Sequence, residues 1–233
     1  MTIELAGSPG PHVFVESLEN MLLGEDDNGH LSKSLRMRSG DPMTASDGRG
    51  SWRSAAFQES GVLEPVGEIV HIPLSDRTTT IAFSLVKGNK PELVIQKLTE
   101  VGVDNIVVLA ASRSIVKWDE AKESKAFDRW RRIVHEAAMQ SHRVRLPSID
   151  GVIAAGSWLA RPEVAIAHFG GSSIEEHHTS IAIGPEGGWT DSEAAAAGQR
   201  IGLGPTVLRA ETAAIVAGTL LTAATTPAQS DGR

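Results

Sequence analysis

A strand–helix–strand pattern in the middle of the chain constrains its fold more than any other feature. The apolar runs TIAFSLV and NIVVLA flank the helical pattern PELVIQKLTEVG, which has Pro91 in its first turn and Gly102 at its end. Two consecutive strands joined by a helix predict a parallel pair, because a parallel neighbour requires a long crossover connection. Apolar runs at 164–169 and 180–184 predict further strands, and a longer helix is predicted over about 123–141. The sequence therefore predicts an α/β domain with a parallel sheet.

The N-terminal part of the chain has the pattern of a small β-rich module. Its strand-like runs HVFVESL, SWRSAAF and GVLEPVGEIVHI are separated by the turn sequences SGDP and SDGRG. Between the first two runs, HLSKSLRM predicts one short helix that ends at Ser39–Gly40. We therefore predict a β-rich domain at 1–73, an α/β domain at 77–226 and a frayed polar tail at 227–233.

Composition excludes several classes of function. The 233 residues include no cysteine, so disulfides and thiolate metal sites are excluded. The chain lacks a signal-peptide pattern and any run of 18 apolar residues, so we expect a cytoplasmic protein without a membrane span. A net charge of −7 argues against non-specific coating of nucleic acid. A local basic patch still occurs at 113–145, with nine Lys/Arg and five Asp/Glu, and a solvated helix face would have the same pattern.

A glycine-rich turn at 184–188 directly follows one of the predicted strands. The run SIAIG leads into GPEGGW, and Thr190 and Glu193 then have the spacing of a capping box that opens an alanine-rich helix. Glycines adopt positive φ and let a ligand approach the backbone amides and carbonyls. A strand, a glycine turn and a helix in this order are typical of a cofactor site, and a simple tight turn is the alternative.

A second glycine–proline segment follows farther along the chain. The sequence GLGPTVLRAETAAIVAG predicts a turn, a short strand and a helix of small residues whose start is marked by Arg209, Glu211 and Thr212. Neither segment contains a GxxxxGK[ST] phosphate loop, and GPEGG is not the GxGxxG of dinucleotide-binding folds. The two segments therefore argue against ATP and NAD as ligands.

Taken together, the two segments resemble a known family. IGPEGGWTDSE followed by LGPTVLRAETA resembles the C-terminal signature of the SPOUT methyltransferases, specifically the bacterial family that methylates N3 of a uridine in 16S ribosomal RNA. Three other stretches, HLSKSLRMRSGD, KGNKPELVIQKLTEVGVDNIVVLAASRSIVK and RWRRIVHEAAMQSHRVRLPSI, resemble segments of that family in the same order. Gln140, His142 and Arg143 resemble its glutamine-to-arginine stretch.

The resemblance implies a PUA-like β-barrel domain followed by a SPOUT domain with a deep trefoil knot. Knots are nearly absent from other proteins, so periodicity alone does not indicate one. A homodimer with its active site at the subunit interface is also implied. Ala213, Ala214, Ala217 and Gly218 would let a helix approach a neighbour closely, and a tightly packed core helix explains them equally well.

The implied cofactor is S-adenosylmethionine, held among the loops of the knot. Apolar walls with a few polar groups suit such a ligand, and its sulfonium supplies the reactivity. The residues expected to contact it are Ile183, Gly184, Pro185, Gly187, Gly188, Leu203, Gly204, Val207, Leu208, Thr212 and Ala213.

Two charged residues of the motif pair are the catalytic candidates. Methylation at uracil N3 requires an in-line lone pair and removal of the N3 proton. We assign the general base to Glu186 and the cation that stabilises the uracil anion to Arg209. The alternative roles are structural, with Glu186 capping backbone amides and Arg209 paired with Glu211 or another carboxylate.

The implied partner is 16S ribosomal RNA, in an assembled small subunit. The target base is expected to leave its stack, because stacking hides N3. Phosphate contacts and shape would guide binding. The candidate RNA contacts, each with solvated surface as the alternative, are Lys33, Arg36, Arg38, Arg113, Arg129, Arg132, Arg143 and Arg145. Residues 1–75 carry 11 Asp/Glu against five Lys/Arg, which argues against a broad grip on RNA by the N-terminal domain.

The histidines do not predict a metal site. His177 and His178 are adjacent, and no carboxylate follows at a recognisable ligand spacing. Two other functions stay open from the sequence: a SPOUT enzyme that methylates a ribose 2′ hydroxyl or guanine, and a non-catalytic RNA-binding protein with the same fold.

Overall fold

The computed structural model describes residues 8, 10–85, 90–114 and 118–225, which form two compact units. The first unit comprises the chain up to Ser75 together with His135–Leu146. The second unit comprises Asp76–Val134 and the chain from Pro147 onward. Residues 135–146 fall within the α/β domain predicted from the sequence at 77–226. They group with the first unit because Met139 packs against its core and the carbonyl of Arg143 accepts a hydrogen bond from His12. The tail predicted at 227–233 lies outside the described residues.

The first unit is built mainly from short strands. Its elements are β1 (His12–Phe14), α1 (Glu25–Gly29), a π-helical turn (His30–Ser34), β2 (Pro42–Ser46), β3 (Ser51–Ala56), β4 (Glu64–Pro65) and β5 (Val70–His71). β3 pairs antiparallel with β2, β4 and β5, and β1 lies parallel to β2. The core of this unit includes Val13, Met21, Leu31, Met43 and Phe57.

Two details of the first unit differ from the sequence prediction. Strand β2 was not predicted, because its polar residues Thr44 and Ser46 are buried as fully as Met43 and Ala45, so the sequence shows no apolar run. The helix predicted over HLSKSLRM is instead the π-helical turn. It ends well before Ser39–Gly40, since Arg36 adopts a left-handed φ of 56°.

The second unit contains a six-stranded parallel sheet, which confirms the predicted α/β class. Its elements are β6 (Thr80–Ser84), α2 (Lys90–Glu100), β7 (Asn105–Ala110), α3 (Glu120–Gln140, whose last residues belong to the first unit), β8 (Ser148–Ala154), α4 (Ala155–Leu159), β9 (Val164–Ser172), β10 (Ser180–Ile183), α5 (Asp191–Ala196), β11 (Gln199–Ile201) and α6 (Ala210–Thr225). The strand order is β11-β9-β10-β6-β7-β8, and every neighbouring pair is parallel.

The central strands of this sheet are buried on both faces. Ile81, Val107 and Ile181 are at most 1% exposed, and such strands have the continuous apolar runs by which the sequence predicted them. Helix α6 packs on α2, β6 and β10. At Gly218 a Cβ atom would lie 2.6 Å from Leu98 Cδ2, so α6 packs closely on α2 there and a larger side chain would require Leu98 to shift. The small residues of α6 thus serve packing within the chain.

The structure also corrects the prediction near the C-terminal segment. The short strand predicted after Gly204–Pro205 is wrong, because 202–209 form an irregular loop in which Val207 is 83% exposed. Strand β11 lies before that loop, and β8, α4 and β11 were all unpredicted. Of the helices described, none combines the length and apolarity needed to cross a bilayer.

A buried histidine holds the segment that follows α3 within the first unit. His12 Nδ1 lies 2.8 Å from Thr44 Oγ1, and Nε2 lies 3.1 Å from both Ser46 Oγ and the Arg143 carbonyl oxygen. A carbonyl oxygen only accepts, so we assign the proton to Nε2 and the acceptor role to Nδ1. Burial, followed by the charge of nearby His142, lowers the pKa of His12 to about 4, so the ring is neutral at pH 7.

Candidate functional site

The carboxyl ends of β10 and β6 mark the point where a ligand site is expected in this sheet. The strand order changes direction there. Strands β7 and β8 lie on one side of β6, and strands β10, β9 and β11 lie on its other side. Ligands of open α/β sheets bind outside the carboxyl ends of strands at such a switch point. The glycine-rich turn 184–188 follows β10 directly, and Lys90 begins the helix that follows β6. The fold therefore puts the turn at the expected edge.

The turn 184–188 is closed by a hydrogen bond from the Gly188 N–H to the Pro185 carbonyl, 2.8 Å long. Gly188 has φ of 70°, and a Cβ atom built there would meet nothing within 4 Å. At Gly184, by contrast, a Cβ atom would lie 3.0 Å from Trp189 Cε2. Ile183 and Pro185 are buried, while Glu186, Gly187 and Gly188 are exposed. The turn thus has a packed base and an open edge.

Arg113, in the loop that follows β7, forms hydrogen bonds with the backbone at this turn. Its Nη1 donates to the carbonyl oxygens of Gly187, at 3.3 Å, and Trp189, at 3.0 Å. A guanidinium can make such paired bonds because its donors are fixed in one plane. Arg113 is also one of the candidate RNA contacts, and that role stays a prediction beside the observed contact with the turn.

Glu193 links the start of α5 to the same loop, and the predicted capping box is confirmed. The Glu193 N–H donates to Thr190 Oγ1 at 3.2 Å, and the Thr190 N–H donates to Glu193 Oε2 at 2.8 Å. The other carboxylate oxygen accepts the Ser112 N–H at 2.9 Å, a contact that the sequence did not predict. Burial opposes ionisation of Glu193, but the N–H groups of Thr190 and Ser112 outweigh it and lower its pKa.

The second segment, 202–209, is an open loop with apolar side chains. Gly204 has φ of 140°, and a Cβ atom there would meet nothing within 4 Å. Leu203 and Leu208 are half-buried, and Val207 is largely exposed. Two predicted cofactor contacts lie at the start of α6, where Thr212 is exposed and Ala213 is buried. Exposed apolar side chains beside an open backbone suit a ligand with apolar faces.

Lys90 joins the two segments. Its Nζ lies 3.1 Å from Glu186 Oε1, on the turn, and 3.2 Å from Glu211 Oε1, at the start of α6. Hydrogen bonds to these two carboxylates raise the pKa of Lys90. Burial opposes ionisation of Glu211, but hydrogen bonds from its own backbone and from Lys90 lower its pKa. Lys90 is not among the site residues predicted from the sequence, although it lies in the stretch KGNKPELVIQKLTEVG that carries part of the family resemblance.

The two catalytic candidates lie beside this bridge. Glu186 is 60% exposed and its carboxylate pairs with Lys90. Arg209 is exposed, and its charge contributes to the lowered pKa of Glu211, whose direct ion pair is with Lys90. Glu211 Oε2 is buried without a hydrogen-bond partner among the described residues. Acidic and basic groups are thus gathered where the two segments meet.

Five of the RNA candidates belong to the first unit. Lys33, Arg36 and Arg38 are exposed on and after the π-helical turn. Arg143 is half-buried, and its carbonyl accepts the bond from His12. Arg145 donates from Nη2 to the Ile72 carbonyl at 3.1 Å, so part of its guanidinium is used within the unit.

Two further RNA candidates lie on α3 in the second unit. Arg129 forms an ion pair with Glu92 at 3.4 Å, and Arg132 donates from Nε to the Asp128 carbonyl at 3.4 Å. Both side chains are nevertheless exposed. Their assignment to RNA stays a prediction.

The paired histidines interact with each other and with nearby backbone. The rings of His177 and His178 lie 3.9 Å apart, and His178 Nδ1 accepts the Glu175 N–H at 2.9 Å. Within the part of the chain that the structure describes, no cluster of three or more potential ligand side chains is arranged to hold a metal ion.

Comparison with known proteins identifies the family. A model of the RNA methyltransferase domain matches residues 73–222. The chain is 31% identical over 215 residues to ribosomal RNA small subunit methyltransferase E of Mycobacterium tuberculosis, with 82% of each chain covered. The chain belongs to the ribosomal RNA small subunit methyltransferase E family. It is also 34% identical to the Synechocystis member, with 81% of this chain and 68% of the relative covered. The family resemblance found in the sequence is thereby confirmed.

Solved structures of related proteins share the fold. A methyltransferase from Legionella pneumophila, in complex with bound S-adenosylmethionine, has a TM-score of 0.77 and 26% identity, with 93% of this chain and 98% of that chain covered. The family member from Neisseria gonorrhoeae, also bound to S-adenosylmethionine, has a TM-score of 0.76 and 26% identity, with 92% and 98% covered.

Proposed function

We propose that this chain transfers a methyl group from S-adenosylmethionine to N3 of a uridine in 16S ribosomal RNA. The observation that carries the proposal is the meeting of the two glycine–proline segments across Lys90, at the switch point of the parallel sheet. Relatives with this fold from Legionella and Neisseria hold S-adenosylmethionine. Membership of a family named for small-subunit ribosomal RNA supports the RNA substrate.

The residues where the segments meet suit the cofactor. Gly188 and Gly204 combine positive φ with open space, so adenosine can approach the backbone of both segments. Leu203, Val207 and Leu208 offer apolar contacts. The remaining contacts in this proposal are Ile183, Gly184, Pro185, Gly187, Thr212 and Ala213. When bound, S-adenosylmethionine supplies an electrophilic methyl group on its sulfonium.

The chain path supports a trefoil knot around this site. After β10 the chain runs to β11, at the edge of the sheet beside β9. It then returns through 202–209, and α6 packs on α2, β6 and β10 in the middle of the unit. This return of the chain to the middle of the unit supports the proposed knot. The five-stranded sheet of the first unit supports its assignment as a PUA-like domain that recognises RNA.

Two side chains are assigned to the reaction itself. Uracil N3 must lie in line with the methyl group, and the N3 proton must leave. Glu186, exposed on the open edge of the turn, is the proposed proton acceptor, and Lys90 holds its carboxylate. Arg209, exposed beside Glu211, is the proposed cation that stabilises the uracil anion.

The proposed substrate is the RNA of an assembled small subunit in the cytoplasm. Its phosphates would be contacted by the exposed basic side chains of each unit described above. The proposed assembly is a homodimer. The second unit has exposed apolar side chains, among them Leu93, Phe169 and Leu220, that a partner chain would cover in the proposed dimer.

Calorimetric titration with S-adenosylmethionine tests the cofactor site. Gly188→Trp fills the open space beside the turn and Leu208→Asp puts a charge in the apolar wall, so each should weaken binding at least about tenfold. Gly102→Trp is the matched control, because Gly102 also has positive φ and open space but lies in the turn between α2 and β7. Undiminished binding in both site variants would reject the assigned pocket.

Mass spectrometry of nucleosides tests the target. Small subunits that lack the modification are incubated with the chain and S-adenosylmethionine, and their 16S RNA is digested. We expect 3-methyluridine, and its loss in Glu186→Gln and Arg209→Met. A methylated ribose or guanine would reject N3 as the acceptor while keeping the enzyme class. Binding of RNA without any methylation would favour the non-catalytic alternative.

A further inference from the structure

The first unit contains a cavity that the proposed reaction does not use. Its volume is about 400 Å³, within the range of about 300–1,000 Å³ that is typical of small-ligand sites. It is bordered by β1, the π-helical turn and the end of α3. Apolar side chains and imidazole rings form most of its wall, which includes Leu31, Leu35, Met37, Met139, His30 and His142.

Two residues at this cavity have left-handed backbone. Arg36 has φ of 56° and His142 has φ of 53°, and in the described part of the chain these are the non-glycine residues with positive φ. Arg36 separates two lining residues, Leu35 and Met37, and His142 lines the cavity itself. Glycine is common where a helix ends in this way, so a side chain kept there at an energetic cost points to a function.

The polar groups of the lining define the kind of ligand. Both ring nitrogens of His12 are bonded inside the unit, so that ring serves as wall. The His142 ring stacks on it with centroids 5.7 Å apart, and its Nδ1 is buried without a partner among the described residues. Asp27, half-buried in the lining, offers a carboxylate that only accepts hydrogen bonds. A flat ring with an amino group matches this combination.

We propose that this cavity holds one unpaired nucleobase with an exocyclic amino group, stacked on His142 and bonded to Asp27. Proteins that recognise single-stranded RNA stack unpaired bases on flat side chains and bond their edges. Lys33, Arg36 and Arg38 are exposed beside the cavity and supply positive charge for the adjoining phosphates. The proposal rests on the proposed function, which provides the RNA. Uracil has no amino group, so the cavity anchors a base other than the methyl acceptor.

Fluorescence anisotropy with single-stranded RNA octamers tests the proposal on the full chain. Oligoadenylate or oligocytidylate should bind about tenfold more tightly than oligouridylate at low salt. His142→Asn retains a residue that tolerates positive φ but removes the aromatic ring, and should weaken the preferred octamer about tenfold. His142→Gly relieves the backbone and should lose the same affinity with a melting temperature no lower than that of the unmodified chain. His71→Asn, at an exposed strand position, is the control and should bind normally.

Asp27→Asn separates base recognition from general affinity. An amide in place of the carboxylate adds a donor, so the preference over oligouridylate should shrink while binding of oligouridylate stays the same or improves. Octamer affinity unchanged in both His142 variants, or no octamer binding by the unmodified chain, would overturn the proposal. Calorimetry with S-adenosylmethionine on the same preparations tests the proposed function separately, because the proposed cofactor site lies in the second unit and does not include this cavity.

Discussion

The two units hold their irregular segments in place by different physical means. In the first unit a neutral, buried His12 bonds to Thr44, Ser46 and the Arg143 carbonyl. In the second unit the two glycine–proline segments are joined by Lys90, whose pairs with Glu186 and Glu211 lie partly in solvent. Buried neutral bonds are costly to break, whereas exposed ion pairs contribute little stability and weaken in salt. The first arrangement suits a fixed scaffold, and the second holds the two segments together by a weaker link that a bound ligand would reinforce.

Acid should destabilise the buried arrangement most, and this is the largest effect that we expect. The folded pKa of His12, about 4, lies below the unfolded value of 6.5, so the unfolded chain binds more protons between these two pH values. The contribution to stability is complete above about pH 6.5 and is lost as the pH falls towards 4, by roughly 3 kcal/mol. Urea unfolding between pH 4 and 8, followed by circular dichroism, measures this dependence.

The His12→Gln variant isolates that titration from other groups. Glutamine keeps a donor and an acceptor but does not titrate, so the variant is less stable at pH 7 and its stability should change less between pH 4 and 6.5. An identical pH dependence in both proteins would show that His12 does not govern the acid response. Added salt should leave the difference in stability between the unmodified chain and His12→Gln at pH 7 nearly unchanged, because the hydrogen bonds of His12 are neutral and buried.

Removal of the buried carboxylate of Glu193 in the second unit tests what determines the stability lost with a hydrogen bond. If burial determines it, the loss should be large in this unit as well. Glu193→Ala removes the capping-box bond to Thr190 and leaves the Ser112 N–H unpaired, so we expect a loss of about 2 kcal/mol in the free energy of unfolding. Glu193→Gln preserves a capping-box acceptor and should lose less than half as much. Denaturant titration at pH 7 measures both, and equal losses would mean that the capping-box acceptor, which Gln retains, contributes nothing to stability.

Local signals explain what the sequence predicted correctly. Strands β6, β7 and β10 were predicted because continuous apolar runs mark strands buried on both faces, and the capping box because Thr190 and Glu193 are only three positions apart. The strand predicted near Val207 failed because β-like residues form a strand only where a neighbouring strand pairs with them.

The contacts that define the candidate site are not local. Lys90 and Glu186 are 96 positions apart, and the bond that ties Arg143 to His12 spans 131 positions. Nothing in the spacing around Lys90 distinguishes it from the other lysines of the sequence, so only the folded chain identifies it as the link between the segments. The placement of 135–146 in the first unit depends in the same way on a partner far away in sequence.

Removal of the partly exposed bridge should have a smaller effect on stability than the changes above and a clear effect on binding. In Lys90→Met the pair with exposed Glu186 contributes little, and the melting temperature should fall by a few degrees, mainly because Glu211, only 14% exposed, loses its cation. The two segments then lose their link, and if they meet only a tenth as often, the affinity for S-adenosylmethionine falls about tenfold. Lys97→Met is the matched control, since Lys97 pairs with Glu100 on the same helix at 2.7 Å but touches neither segment.

Salt sharpens the same comparison. Rising ionic strength should weaken cofactor binding by the unmodified chain, because screening weakens the pairs of Lys90 with Glu186 and Glu211. The difference in cofactor affinity between the unmodified chain and Lys90→Met, measured by calorimetry, should therefore become smaller. Lys97→Met should follow the unmodified chain at every salt concentration. If Lys90→Met and Lys97→Met bind the cofactor equally well in low salt, the bridge is incidental, and the segments are held together by the packing of α6 on α2 and β10 instead.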